Sequence, residues 1–159
     1  MDIHQAHIDA FYASTEELFN TMIRMPVKME ASESGTRGDL YDLSGTIKIT
    51  GDITGSVSVG FERDAALKFA EQLLGVPVGA RSADFTDAVS EISNMIVGSA
   101  KSRMKNVSAS IGCPEVVFHD AEQLGASNTD AGNFILCTTE AGKFTIGIFL
   151  HASDLSKAQ

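Results

Sequence analysis

The spacing of apolar residues changes its period at Pro26, and that change limits the fold more than any other feature of the chain. From His4 to Met25, Ile8, Phe11, Tyr12, Thr15, Leu18, Phe19 and Met22 recur at helical spacing, while Asp9, Glu16, Glu17 and Asn20 fall mostly off that stripe. Pro26 ends the pattern, which predicts one amphipathic helix of about six turns. Beyond it the period becomes two. Val27-Lys28-Met29-Glu30, Leu43-Ser44-Gly45-Thr46-Ile47-Lys48-Ile49 and Ser56-Val57-Ser58-Val59-Gly60-Phe61 alternate, and Gly51-Asp52 with Gly55 between the last two runs predict a hairpin. Residues 32–39 are polar and read as a loop.

Helical spacing returns from Arg63 to Leu74, with Gly75 and Pro77 in the order expected after a helix end. Ser82 or Asp84 can cap a second long helix, from about Phe85 to Asn106. Short strands are expected at Val107–Ile111 and Glu115–His119, then a hairpin of Asn133–Thr139 and Lys143–His151 around Glu140-Ala141-Gly142. Phe144, Ile146, Ile148 and Leu150 share one face of the last strand. This order predicts an α+β fold, with two long helices and a shorter one packed on one side of a mainly antiparallel sheet.

The length of 159 residues suits a single domain spanning 1–159, with 152–159 expected to be a frayed tail. Apolar residues make up 43% of the chain, enough for a core and against wholesale disorder. The net charge is -9, spread over both halves, so phosphate backbones and anionic lipid would repel the chain. Nucleic acid and membrane surfaces are therefore poor partners. The start shows no signal-peptide pattern, no apolar run is long enough to span a bilayer, and the expected compartment is the cytoplasm. Cys113 and Cys137 lack metal-ligand spacing and read as free thiols.

The second long helix carries the chemistry. Wound at about 100° per residue, it gathers Phe85, Val89, Ile92, Ile96 and Ala100 on one side. Asp87, Glu91, Asn94, Gly98, Lys101 and Lys105 fall on the other. A solvated face favours Glu, Lys, Gln and Ala, whereas Asn is a poor helix former and Gly costs about 1 kcal/mol relative to Ala. Function could explain that cost, since Gly98 would let another molecule approach closely. Glu91 and Asn94 stand one turn apart, about 5–6 Å between Cβ atoms. A Glu-x-x-Asn pair is a weak signal by itself. With ten Glu and five Asn it is expected less than once by chance, yet Glu17-Leu18-Phe19-Asn20 is a second copy. That copy lacks the small residues that follow Asn94, and reads as coincidence or vestige.

The stretch Asp87-Ala88-x-x-Glu91-Ile92-x-Asn94-Met95-Ile96-x-Gly98-x-Ala100-Lys101 resembles the signature helix of the CheX-type chemotaxis phosphatases, within the wider CheC/CheX/FliY group. The resemblance takes in nearly the whole chain: the opening helix ending Leu18-Phe19-Asn20-Thr21-Met22, Leu43-Ser44-Gly45, the hairpin Gly51-Asp52-Ile53-Thr54-Gly55-Ser56-Val57, and Ala65-Ala66-Leu67 through Leu74-Gly75. Ser90 departs from the pattern, standing where these proteins often have Gly, and the Glu17/Asn20 copy lacks the context of a CheC first site.

The resemblance implies a CheC-like domain that hydrolyses the phosphoaspartate of a CheY-type response-regulator receiver, with one functional site and a homodimeric state. For the dimer the sequence offers apolar strand edges such as residues 144–150. In this chemistry water needs orientation more than deprotonation, because the transition state is loose. The Asn94 carboxamide can accept from the water and donate to a neighbouring oxygen, a neutral positioning role. Glu91 suits an anchor for a cation of the receiver, its active-site Lys. Asp87, Gly98, Lys101 and Lys105 complete the expected docking surface. Any Mg²⁺ then belongs to the receiver, and no metal ligand or cofactor is expected of this chain. The rival readings are a non-catalytic module that docks on a receiver or a flagellar switch component, and a small-ligand sensor.

Other features carry less. His4, His7 and Asp9 near the terminus make a poor metal site, and His119 and His151 have no Ser or Cys at a readable spacing. The Lys101, Arg103 and Lys105 cluster suits a helix C-terminus, and Met95 and Met104 read as core.

Overall fold

In the computed structural model, which describes residues 3–32, 41–80, 82–119 and 132–153, the alternating segments join one antiparallel sheet. Its strands are β1 (Lys28–Ser32), β2 (Leu43–Gly51), β3 (Ile53–Phe61), β4 (Ala109–Ile111), β5 (Glu115–Phe118), β6 (Asn133–Thr139) and β7 (Gly142–Ala152). The spatial order is β1-β6-β7-β3-β2, with β4 and β5 sharing the outer side of β2. The helices are α1 (Ile3–Leu18), α2 (Arg63–Leu74) and α3 (Ala83–Arg103). The expected polar loop lies, from residue 33 onward, outside the described residues.

Register explains the single core. Val57 pairs with Ile47 on one side and Ile148 on the other, and Val59 pairs with Ile146, itself opposite Ile135. Cross-strand partners share a face, so these side chains form one apolar surface, and the helices pack on it. All are buried together with Phe11, Phe69, Phe85, Ile92 and Ile96.

Three expectations need correction. First, α1 does not continue to Met25 as an α-helix. Phe19–Ile23 form a π-helical turn that ends at Arg24, whose N–H donates to the Phe19 carbonyl and whose φ of 58° is left-handed. The wider turn rotates the following residues, so Ile23 is fully buried where simple periodicity places Met22, and Met22 is 44% exposed. Packing selects this arrangement. Phe19 stacks on Phe144 at 5.0 Å and meets the edge of Phe69 at 5.0 Å, and Gln72 Nε2 donates to the Ile23 carbonyl at 3.1 Å. Second, residues 144–150 are not an edge, because β7 is hydrogen-bonded to β3 and to β6 along its length. Third, residues 152–153 do not belong to a frayed tail: Ala152 pairs with Ile53, and Ser153 N–H donates to the Asp52 carbonyl at 2.9 Å. Residues 154–159 lie outside the described part.

Candidate functional site

Local chemistry fixes both ends of α3. Ser82 Oγ accepts from Phe85 N–H at 3.1 Å, the side-chain cap expected of Ser at this position. Asp84 sits in the first turn and Lys101 with Arg103 in the last, each of the sign that the helix dipole favours. The buried side is Phe85, Ala88, Val89, Ile92, Ser93, Ile96, Val97 and Ala100. One contact sets the height of α3 above the sheet. A Cβ at Gly45 of β2 would lie 2.9 Å from the Ser93 Cβ, closer than real side chains pack. Only glycine lets the helix approach there.

The opposite side presents the residues singled out by spacing. Asp87 and Glu91 are exposed, and Asn94, Gly98 and Lys101 are half-buried. Lys105 belongs elsewhere. The helix ends at Arg103 and Met104 has extended backbone (φ −86°, ψ 107°), so Lys105 lies in the exit turn and leaves the helical stripe. At Gly98 a Cβ would meet Ile111 Cδ1 of β4 at 3.8 Å, an ordinary contact, and nothing closer.

Asn94 and Glu91 have no hydrogen-bond or ion-pair partner among the described residues. A carboxamide and a carboxylate one turn apart on a rigid helix are thus free to serve another molecule. The second Glu-x-x-Asn pair differs. Glu17 is engaged by Arg103 of α3 in an ion pair, and Asn20 sits in the π-turn. Arg103, read as part of a basic cluster, thus pairs across from α3 to α1 at the surface.

Beside the stripe lies an open cleft of about 250 Å³ between the end of α1 with its π-turn and α3. Met95 and Met104, expected in the core, are both partly buried against it, and Met95 also lines this cleft. Sequence spacing could not show the cleft, because its lining comes from α1, the π-turn and α3 and is brought together by packing.

A further pair escaped the sequence. Ser44 Oγ and His119 Nε2 are 2.8 Å apart, joining β2 to the end of β5 across 75 positions. No sequence spacing announces this pair, and it makes His119 a hydrogen-bonded structural residue of the sheet. With Ser44 only 3% exposed, the pair satisfies a buried hydroxyl. His7 is buried and the side chain of His4 lies outside the described residues. Among the described residues no group of three His, Cys, Asp or Glu side chains is placed to hold a metal ion. No helix among them is long and apolar enough to cross a membrane. Cys113 is exposed, whereas burial pushes the Cys137 thiol far above its ordinary range.

Residues 43–140 match the family model described as Chemotaxis phosphatase CheX. Among solved structures the chain is similar to the chemotaxis protein CheX from Vibrio vulnificus, with a TM-score of 0.77 and 23% identity over 91% of this chain and 99% of that one. A CheC-like superfamily protein from Shewanella sp. PV-4 gives a TM-score of 0.73 at 25% identity, over 96% and 100%. A chain of the CheX-CheY-BeF3-Mg²⁺ complex from Borrelia burgdorferi gives 0.72 at 14% identity, over 91% and 97%. No curated protein matches the chain.

Proposed function

The chain belongs to the chemotaxis phosphatase CheX family, and on that premise we propose that it hydrolyses the phosphoaspartate of a CheY-type receiver domain through Asn94 and Glu91. The observation that carries this reading is the uncommitted pair itself. Asn94 is half-buried yet spends its carboxamide on nothing within the described chain, and Glu91 stands free one turn before it. The Asn94 amide is not sealed from solvent, so it can exchange water for a partner without breaking any bond of its own fold.

The receiver supplies the phosphoryl group and its Mg²⁺. This chain supplies position. Asn94 enters the phosphorylation pocket, accepts a hydrogen bond from the attacking water and donates to a neighbouring oxygen, holding the water in line with the bond to be cleaved. A neutral amide can do this beside a phosphoryl group without the repulsion that a carboxylate would bring. Glu91 instead pairs with a receiver cation, a charge-assisted hydrogen bond that fixes how α3 lies on the partner. Asp87 and Lys101 extend the contact along the same side, and Gly98 admits close approach. The reading sets the protein in the cytoplasm and extends to a homodimer, for which the outer strands β1 and β4 with β5 are the available sheet edges in place of β7.

The test is phosphate release from a phosphorylated receiver. The parent should speed it, and Asn94→Ala should remove most of the gain while receiver affinity and thermal midpoint stay unchanged. Glu91→Ala should act mainly on affinity. An Asn94→Ala variant as active as the parent refutes the assignment. A parent that binds the receiver and leaves its phosphate intact selects the rival reading, a docking module without catalysis.

A further inference from the structure

The π-turn at Phe19–Ile23 leaves a mark beside the proposed site. By displacing Met22 from the buried stripe it presents that side chain, 44% exposed, to the cleft between α1 and α3. Leu18 and Thr21 line the cleft from the same side, and Met95 and Ser99 from α3. Met95 directly follows Asn94 and Ser99 directly follows Gly98, so the cleft runs alongside the stripe that carries the uncommitted Asn94 and Glu91. Glu17 and Arg103 pair at its rim.

We infer that this cleft is the specificity-determining half of the docking surface and takes one apolar side chain projecting from the receiver beside its phosphorylation pocket. The inference rests on the reading of α3 given above. Three observations favour this occupant. The cavity of about 250 Å³ is a shallow cleft open to solvent rather than an enclosed ligand pocket, and it suits a single side chain. Its wall is two thioethers and a leucine, a soft apolar lining that adapts to the shape of an incoming group, with hydroxyls and an ion pair around it. The chain carries a net charge of -9, and a receiver pocket that holds Mg²⁺ is itself acidic. Overall charge therefore gives little long-range attraction, and short-range apolar burial next to Asn94 can add affinity.

Titration calorimetry with a CheY-type receiver activated by beryllofluoride and Mg²⁺ tests the inference, alongside steady-state dephosphorylation. Met22→Asp should weaken binding tenfold or more and raise KM by a similar factor, with kcat within twofold of the parent. Met22→Leu should bind within twofold, because an apolar side chain is retained at an exposed position. Asn94→Ala should show the opposite split, a lost kcat with affinity kept. Met22→Asp binding like the parent overturns the inference while leaving the catalytic reading intact. So does loss of self-association in Met22→Asp, measured by sedimentation, which assigns the cleft to a second copy. A parent that binds no activated receiver overturns both.

Discussion

Gly98 separates what the fold requires from what a partner would require. A Cβ at this position meets Ile111 Cδ1 at 3.8 Å and nothing closer, so the chain itself has room for alanine. The helix would gain from it. Gly98→Ala should raise stability by about 0.5–1 kcal/mol, the usual helix-interior difference, in a urea titration. The same variant should dephosphorylate the receiver less well, because the added methyl stands where α3 would lie against its partner. A variant both more stable and fully active would remove Gly98 from the docking surface. Asn94 offers the matching case for a side chain, half-buried and without a partner of its own. Both residues were legible in the sequence for one reason: each is a poor choice for a helix that only needs to be a helix.

At the scale of the element, α3 is placed by a contact that spacing cannot show. Gly45 and Ser93 are far apart in sequence and meet because helix and sheet come closest there. Gly45→Ala brings Cβ to 2.9 Å from the Ser93 Cβ, and the helix must shift; overpacking of this kind costs about 1–3 kcal/mol. Activity should fall with stability, since the same shift moves Asn94. The double variant Gly45→Ala with Ser93→Gly should recover part of both losses, a coupling readable in a double-mutant cycle. If the losses simply add, the close approach is not what holds α3. The α1 boundary shows the opposite limit. Its periodicity pointed to Met22 as a core residue, but the aromatic cluster of Phe19, Phe69 and Phe144 selects a π-turn and buries Ile23 instead. A wider helical turn leaves no signature in a pattern read at a fixed 3.6 residues per turn.

At the scale of the whole molecule, alternation located the strands but not their neighbours. β7 is as apolar as an edge strand prone to pairing, and only the ladders to β3 and β6 show that it lies inside the sheet. Ser44 and His119 likewise meet through the β2–β5 ladder. The interior position of β6, between β1 and β7, has a consequence for its cysteine. Cys137 is 1% exposed and its burial raises the thiol far above the ordinary value of 9.0, whereas Cys113 is exposed. A thiol reagent at pH 8 should therefore modify one cysteine quickly and the second only at the rate of global unfolding, since β6 cannot open without breaking the sheet on both sides. The linkage has a definite sign. The folded state keeps Cys137 protonated where the unfolded chain ionises, so its contribution to stability is complete below pH 9 and declines as pH rises beyond it. Tyr12, raised above 10.0 mainly by burial, acts in the same direction at higher pH. Urea midpoints measured between pH 7 and pH 10 should fall at the alkaline end, and Cys137→Val should flatten the first part of that fall. Rapid modification of both thiols in the folded protein would show instead that the β6 ladder opens locally.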